Sequence, residues 1–346
     1  MALAIASSTG AAGAAELPLR YLSCLDRALP DNDRLVRVAV SDDGHFVAAA
    51  SAYGSTVSLW HLTSNVDWPF RCSVANALDH GSRWTHIDDL AFSPDGKNLA
   101  TAASDDKVRI WNVAAPQQPM KTISIPGHPQ AIAFAPDGGS LAIAAWDGSV
   151  SLWMPQSGGM LQIAKPTDKV VWRISFVNNG QGLIWADSRS IHTLNLSTMM
   201  QKDSPFAVDF NDKEWSPYRD GSMVIGREGG VGINLWGSVD GKQRLKTIEG
   251  QFYTIMFFAD SRRIAVLDQD GMKIWDMLDV MASDVIEIPT LLAVTSIPIK
   301  NASPPRSVAY KIEQLFSMSS SGTYIVTGDN DDSIIVIWAN ENLAPQ

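Results

Sequence analysis

The chain has 346 residues, 45% of them hydrophobic and 18% charged, which is the composition of an ordinary globular protein. Its formal net charge of −10 argues against a nucleic-acid-binding protein, because phosphate binding needs a basic surface, although a local basic patch remains compatible with that charge. No apolar run reaches the roughly 18 residues that a membrane-spanning helix needs.

The chain begins with a stretch rich in Ala, Gly and Ser, MALAIASSTGAAGAAE, which has no positively charged start and only a short apolar run. We therefore expect residues 1–17 to form a flexible lead rather than a secretory signal. Cys24 and Cys72 are the two cysteines of the sequence. Two cysteines make no disulfide framework, so we expect reduced, buried thiols in a cytoplasmic protein. A disulfide between them would contradict that localisation.

A strand that ends in tryptophan recurs along the chain. Its copies are YGSTVSLWHL, DDKVRIWNV, DGSVSLWMP, GGVGINLWGS, DGMKIWDM and DDSIIVIWAN, and SRSIHTLNL is a degenerate copy with Leu194 in place of the tryptophan. The strand-end positions are 60, 111, 153, 194, 236, 275 and 338, and most of them are about 40 residues apart. This period is typical of one propeller blade, and the two longer intervals indicate insertions.

A second signature precedes each of these strands. The segments VAVSDDGHFVAAAS (38–51), AFSPDGKNLATAAS (91–104) and AFAPDGGSLAIAAW (133–146) share an apolar strand, a turn that contains Asp-Gly, and a strand of small residues. Looser copies are FVNNGQGLIWA (176–186), FFADSRRIAVLD (257–268) and FSMSSSGTYIVTG (316–328). The period-2 alternation predicts strand–turn–strand–turn–strand seven times.

A fourth strand follows most of these units. The candidate segments are 71–78, 120–126, 160–165, 243–249 and 284–291. The seventh unit ends too close to the end of the sequence to supply its own fourth strand. We expect LRYLSCLD (19–26) to complete that sheet and to close the ring, because radial repetition removes exposed sheet edges only when the last blade is completed.

These segments resemble the WD40-repeat family, on the motifs SPDG and LATAASDDKVRIWNV and on the pair Trp275–Asp276. The resemblance covers about residues 18–342. It implies an all-β fold, a seven-bladed β-propeller of four-stranded antiparallel blades, in one domain over 18–342 with a tail at 343–346. The usual role of that family is a rigid interaction platform.

The resemblance also implies a buried hydrogen-bonded network in the second blade, formed by His86, Ser104, Asp105 and Trp111. Such a network stiffens a blade when every member is satisfied, so its implied role is structural. In the third blade His128, Asp147 and Trp153 match, but Trp146 stands where the second blade has Ser104. The network is therefore expected to be broken there.

Catalytic and metal-binding motifs are not evident in the sequence. The six histidines form no HExxH motif and no zinc spacing, and there is neither a G-x-S-x-G motif nor a P-loop. The acidic segments DQDG (268–271) and DNDD (329–332) suit turns better than a calcium loop. We therefore expect no catalytic residue, no metal and no cofactor.

Six of the twelve tryptophans lie outside the strand ends. Trp84, Trp146, Trp172 and Trp185 are predicted to lie on one face of consecutive blades, whereas Trp215 is predicted in a turn on the opposite face. Exposed aromatic side chains mark contact surfaces, and tryptophan is enriched in binding hot spots. Nearby arginines would form a polar rim: Arg83, Arg173 and Arg189. The alternative is that these tryptophans fill the wedges between blades.

Two functions fit the sequence. The first is a non-catalytic scaffold or sensor that binds a protein or peptide on this face, either free-standing or as the propeller of a larger protein. The alternative is a propeller enzyme with its site in the central channel. The absence of a paired-acid or His-metal motif favours the first. Partners other than proteins, namely nucleic acids and membranes, are not expected.

Overall fold

A computed structural model describes the chain in segments that together cover most of the predicted repeats. The described residues are 19–25, 35–51, 54–61, 76–81, 85–187, 190–205, 215–227, 232–237, 244–250, 252–257, 263–268, 271–277, 281, 291–295, 316–319, 324–329 and 334–340. The expected flexible lead, the expected tail and Cys72 lie outside these residues.

The described residues form 28 strands. In chain order the first thirteen are β1 (Leu19–Leu25), β2 (Leu35–Val40), β3 (Phe46–Ser51), β4 (Thr56–His61), β5 (Asn76–Asp79), β6 (Ile87–Phe92), β7 (Asn98–Ala103), β8 (Lys107–Asn112), β9 (Lys121–Ser124), β10 (Pro129–Phe134), β11 (Leu141–Ala145), β12 (Val150–Trp153) and β13 (Met160–Ala164). The others are β14 (Arg173–Val177), β15 (Gly182–Ala186), β16 (Ser190–Asn195), β17 (Met200–Pro205), β18 (Trp215–Pro217), β19 (Met223–Arg227), β20 (Gly232–Gly237), β21 (Arg244–Glu249), β22 (Phe252–Phe257), β23 (Arg263–Asp268), β24 (Gly271–Asp276), β25 (Leu291–Thr295), β26 (Phe316–Met318), β27 (Tyr324–Asp329) and β28 (Ile334–Asn340). A short 3₁₀ turn, Asn178–Gly180, joins β14 to β15.

Within the described residues these strands make seven four-stranded antiparallel sheets. Six of them are meanders of four consecutive strands, from β2–β5 to β22–β25. The seventh has the order β1-β28-β27-β26, and Leu19 and Tyr21 of β1 lie opposite Asn340 and Trp338 of β28. The all-β class, the four-stranded unit and the pairing of the first strand with the last are therefore as the sequence predicts.

The core lies between neighbouring sheets. The second strands are rich in small buried residues, such as Ala100, Ala102 and Ala103 in β7, which let adjacent sheets approach closely. Trp111 of the second sheet packs in one cluster with Leu59 and Leu78 of the first sheet. First strands of successive sheets also lie against one another, β2 against β6 and β6 against β10. Buried apolar side chains thus lie between each pair of neighbouring sheets from the first to the sixth.

The first strand of the fifth sheet contradicts one expectation, and the outer strand of the fourth sheet was not predicted. Trp215 is not in a turn: it begins β18, the first strand of the fifth sheet, and is 1% exposed. Strand β17 was not predicted, because its residues 200–203 are all exposed and its sequence, MQKDSP, has no apolar alternation. Both strands pair in register with their neighbours all the same.

Two outer strands overlap their predicted segments but end later. Strand β5 ends one residue after the predicted segment 71–78, and β25 ends four residues after the predicted segment 284–291. In the part of the chain that the structure describes, no helix has the length and apolar character needed to cross a membrane.

Candidate protein-interaction face

In each meander sheet, the link into the first strand and the turn between the second and third strands lie at the same end, because the strands are antiparallel. We call this end of the second to fourth sheets the top face. Its described parts are residues 80–81, 85–86, 104–106, 125–128, 146–149, 165–172 and 187. The opposite end is the bottom face.

Trp146 is the most exposed tryptophan of the described residues for which exposure is known, with half of its surface accessible. It follows β11, all of whose residues are buried, and opens a tight turn in which Gly148 has a φ of +81°. The Trp146 N–H donates to the His128 carbonyl over 2.8 Å, and the Ser149 N–H donates to Asp147 Oδ1 over 2.9 Å. The backbone is therefore fixed while the indole points outward.

Two rings flank the Trp146 indole. Trp172, which directly precedes β14 and is half-buried, meets it edge to face with a centroid separation of 5.2 Å and an interplanar angle of 80°. His128 lies on another side, 6.1 Å away between ring centroids. Edge-to-face contact is a favoured arrangement of aromatic rings. Trp146 and Trp172 thus form a preformed aromatic pair across the third and fourth sheets.

His128 ties this pair to the second sheet. Its Nε2 lies 2.8 Å from Asp88 Oδ2, and its backbone N–H donates to Asp106 Oδ1 over 2.9 Å. A bulge after Ile87 places two successive residues of β6 against the third sheet. Asp89 Oδ2 accepts the Ile132 N–H, and Asp88 binds His128. The top face is therefore braced across three sheets.

The other predicted face residues are placed differently. Trp185 is not on the top face: it lies inside β15, is 2% exposed and stacks on His192 with centroids 5.2 Å apart. The wedge-filling alternative is thus the correct one for this residue. Trp84, Arg83 and Arg189 lie outside the described residues. Arg173 begins β14 and is half-buried.

Arg173 belongs to a charged cluster on the first strands. Arg37 Nε of β2 lies 3.6 Å from Asp89 Oδ1 of β6, and Arg173 contributes to the electrostatics of the same carboxylate. Burial raises the pKa of Asp89, and the opposing effects of Arg37 and of the Ile132 N–H do not cancel that increase. The cluster links the first three sheets through one carboxylate.

The second sheet contains a buried hydrogen-bonded network that joins it to the first. The Trp111 indole N–H donates to Thr101 Oγ1 over 3.0 Å, and Thr101 Oγ1 lies 2.8 Å from His80 Nε2. His80 Nδ1 lies 2.9 Å from the Ser55 carbonyl. A carbonyl can only accept, so Nδ1 carries the proton and Nε2 accepts from the Thr101 hydroxyl. Every polar atom of this chain is thereby satisfied.

This arrangement keeps His80 neutral. Burial lowers the pKa of His80 to about 4, and the nearby Arg109 guanidinium adds to that effect. Arg109 in turn makes two hydrogen bonds to Asp105, of 3.1 and 2.6 Å, and reaches the His80 carbonyl at 3.3 Å. The residues are engaged with one another, so the network has a structural role.

The predicted membership of the network is wrong for His86 and Ser104. Thr101, not Ser104, accepts the Trp111 N–H, and His80, not His86, is the histidine that Thr101 contacts. His86 is exposed; its backbone N–H donates to Ser104 Oγ over 2.8 Å. Asp105 enters the network only through Arg109. The sequence does carry a signal for Thr101, since it is a polar residue inside a strand of buried alanines.

Register explains why the network does not recur in the other sheets up to the sixth, whereas the seventh sheet has a threonine, Thr327, at the corresponding position. Thr101 lies two residues after Leu99, which is opposite Trp111. The same position in the first, third, fourth, fifth and sixth sheets lacks a hydroxyl: Ala49, Ile143, Trp185, Gly226 and Val266. The third sheet therefore lacks the network, as expected, although the reason is Ile143 rather than Trp146.

The fourth sheet holds its outer strand by a different polar cluster. His192 Nδ1 lies 2.8 Å from Asp203 Oδ1 of β17, and His192 Nε2 lies 3.1 Å from Asp187 Oδ2. Lys169 Nζ is 3.7 Å from the same Asp187 oxygen. Burial lowers the pKa of His192, but its hydrogen bonds to the two carboxylates raise it more, so the net shift is upward. Both ring nitrogens act as donors in the resulting cation.

Among the described residues, no group of three or more His, Cys, Asp or Glu side chains is arranged to hold a metal ion. The rings of His80, His128 and His192 are each engaged by protein groups.

Known proteins share part of this chain. Residues 78–112 and 117–154 match the family model of the WD domain, G-beta repeat. The chain is also similar to coronin-7 of Pongo abelii, with 35% identity over 75 residues. That region is 22% of this chain and 7% of coronin-7, so the chain covers far less than two thirds of its relative. The second and third sheets are therefore built from WD40 repeats, which confirms the resemblance.

Proposed function

We propose that this WD40-repeat chain is a non-catalytic scaffold that binds a protein or peptide partner on the top face of its second to fourth sheets. The observation that carries the proposal is the half-exposed Trp146, held edge to face against Trp172. An exposed large aromatic ring on a fixed backbone is the side chain type that most often dominates binding energy. The rigidity of the Trp146 backbone keeps the entropic cost of binding a partner small.

The charges around Trp146 favour a partner that presents a cationic or hydrogen-bond-donating group. Asp88 and Asp106 both bind His128, and Asp147 is in the same turn as Trp146. The described lysines near this turn are Lys165, which is exposed, and Lys169, whose Nζ is 3.7 Å from Asp187 Oδ2. A cation over an indole face gains further stabilisation from the ring quadrupole. The proposed partner therefore places a Lys or Arg side chain near Trp146.

We also propose the architecture that makes this face rigid: one domain over residues 18–342, with the seven sheets closed into a seven-bladed propeller. Three contacts support it. First strands of neighbouring sheets from the first to the sixth lie against one another, β2 of the first sheet lies against β26 and β27 of the seventh, and β1 pairs with β28. The net charge and the low cysteine content agree with a cytoplasmic protein, either free-standing or part of a larger one.

A channel enzyme is the second candidate, and Asp89 is the observation that favours it, because a partly buried carboxyl with a pKa raised by desolvation is a common feature of catalytic sites. However, Asp89 Oδ2 already accepts the Ile132 N–H, and Asp89 Oδ1 is 3.6 Å from Arg37. These contacts give Asp89 a structural use that requires no substrate. The scaffold is therefore the function that the geometry supports best.

Photocrosslinking tests the proposal. A photoreactive phenylalanine analogue is introduced in place of Trp146 and, as a control, in place of the exposed Ser197 on the bottom face. We expect partner crosslinks at 146 and not at 197, and we expect excess wild-type protein to suppress them. Excess Trp146→Ala should compete at least about 30-fold less well, which corresponds to the hot-spot threshold of about 2 kcal/mol. Equal crosslinking at the two positions would contradict the proposal.

A further inference from the structure

A groove of about 600 Å³ lies between the second and third sheets at the bottom face, far from the exposed tryptophan. Its floor consists of apolar side chains of the two sheets: Ile110 of β8, Phe134 of β10 and Trp153 of β12. The turns SPDG and APDG form its ends. Its volume is within the roughly 300–1,000 Å³ typical of ligand sites. Nothing in the top-face proposal requires it.

Met120 lines this groove and is 64% exposed. Its backbone is fixed directly before β9, because its N–H donates to the Ile110 carbonyl over 2.8 Å. A flexible thioether side chain adapts to different apolar partners and is common at binding surfaces. The exposed prolines Pro136 and Pro155 continue the apolar rim.

Two carboxylates occupy equivalent positions in the two turns. Asp95 Oδ1 accepts the Ser93 hydroxyl over 2.6 Å and the Lys97 N–H over 3.1 Å, and Asp95 Oδ2 lies 3.8 Å from the exposed Lys97 ammonium. Asp137 Oδ1 accepts the Gly139 N–H over 2.8 Å, and no described side chain pairs with its second oxygen. Lys121 is the only cation among the residues that line the groove. The groove therefore has an apolar lining and two carboxylates, of which Asp137 has no ion pair among the described residues.

We infer that this groove is a second binding site, for a short linear peptide of a partner protein in which one aliphatic residue is flanked by Lys or Arg. The aliphatic side chain packs on Met120, Phe134 and Trp153, and the flanking cations lie near Asp95 and Asp137. The net charge of −10 also attracts a basic segment to this protein. With the top face, the site lets one chain bind partners at both ends.

The test uses a defined peptide and a reporter inside the groove. The protein is labelled with ¹³C-methyl methionine, and the Met120 signal is assigned by its loss in Met120→Lys. The peptide Ac-GRLRG-NH₂ is titrated to about 1 mM, and Ac-GELEG-NH₂ and Ac-GRSRG-NH₂ serve as acidic and polar controls. We expect Ac-GRLRG-NH₂ to shift the Met120 methyl and the controls to shift it far less.

Matched variants locate the binding site. Their affinities for a labelled form of Ac-GRLRG-NH₂ are measured by the anisotropy of the label. Asp95→Asn and Asp137→Asn keep the turn acceptors and remove one charge each, so each should weaken binding roughly two- to five-fold. Met120→Lys should weaken binding by roughly tenfold. Met200→Lys is the control, because Met200 also lies at the start of an outer strand and is 72% exposed, but it does not line the groove.

Three results would overturn the inference. The Met120 methyl signal could fail to shift at about 1 mM of the basic peptide, or the acidic or polar peptide could shift it equally. Met200→Lys and Met120→Lys could also weaken peptide binding equally. Trp146→Ala should leave this binding unchanged, so failure of the top-face proposal and failure of the groove are distinguishable.

Discussion

The indole N–H of Trp111 donates to the Thr101 hydroxyl over 3.0 Å, and both residues are at most 1% exposed. Thr101 is therefore the hydrogen-bonded link between the Trp111 indole and His80, whose rings also lie 5.3 Å apart between centroids, and His80 is held to Ser55 of the first sheet. Buried polar groups are costly once a partner is removed, because the desolvation they underwent on folding is no longer compensated. The second sheet depends on this one hydroxyl.

Thr101→Val tests that dependence. The change keeps the shape of the side chain but leaves Trp111 Nε1 and His80 Nε2 without their partner, so we expect the free energy of unfolding to fall by about 2–3 kcal/mol. Thr122→Val is the control, since Thr122 is exposed on the outer strand of the same sheet, and it should change stability by less than about 0.5 kcal/mol. Urea denaturation measures both. Equal effects would show that the network contributes nothing.

His80 predicts an acid-side loss of stability. Its pKa is about 4 in the folded protein and 6.5 in the unfolded chain, so the unfolded chain binds the proton more readily between these values. The contribution of His80 is complete above about pH 6.5 and is lost as the pH falls to about 4, by about 3 kcal/mol in total. His80→Asn should show a shallower decline over that window in urea titrations at several pH values. Parallel declines would contradict the assignment.

His192 has the opposite pH dependence. Its pKa is raised above 6.5, because the hydrogen bonds to Asp187 and Asp203 outweigh burial. The stabilisation is therefore complete below about pH 6.5 and is lost as the pH rises through the raised folded value. NMR titration of the His192 ring should show this pKa, and Asp203→Asn should lower it. Asp168→Asn, at an exposed aspartate, is the control. An unchanged His192 titration in Asp203→Asn would be inconsistent with the described contacts.

Much of the fold could be predicted from the sequence, because tryptophan-terminated strands and Asp-Gly turns repeat with a fixed period. The first strand of the fifth sheet and the outer strand of the fourth could not. Trp215 begins a strand of only three residues, too short to show alternation, and the MQKDSP strand is solvated along most of its length. Pairing with neighbours, rather than their own pattern, makes these segments strands.

The site was predicted less completely than the fold. His80 and His86 both precede the first strand of the second sheet, and spacing alone favoured the wrong one, because the choice depends on contact with Ser55 of another sheet. Trp185 carries no local sign of burial either. It lies in the middle of a sheet, opposite His192, at the position that Thr101 has in the second sheet. The pairing of residues across neighbouring strands and sheets, which the sequence pattern does not specify, therefore determines the positions of His80 and Trp185.

Gly148 offers a test of how the top face is held. Its φ is +81°, and a Cβ there would meet Thr167 Oγ1 and would lie 2.5 Å from the Lys169 carbonyl, in the link that leads to Trp172. Gly148→Ala should therefore lower stability by more than about 1 kcal/mol. Gly158→Ala is the control, because Gly158 has a φ of +68° and open space around it, so it adds backbone strain alone. Thermal unfolding that gives equal losses would show that the link adapts to the extra methyl.

The two tryptophans Trp146 and Trp185 should respond in opposite ways to truncation. Trp185 is 2% exposed and packs with Leu183 and Leu194 in the core between the third and fourth sheets, so Trp185→Ala should lower the free energy of unfolding by about 3–5 kcal/mol. Trp146 is 50% exposed, and its loss leaves no enclosed cavity, so Trp146→Ala should cost less than about 1 kcal/mol. Chemical denaturation compares the two variants with the wild type under the same conditions. A large loss in Trp146→Ala would mean that its contacts with Trp172 and His128 hold the three sheets together, and any weakened partner binding by that variant would then follow from unfolding rather than from a missing contact.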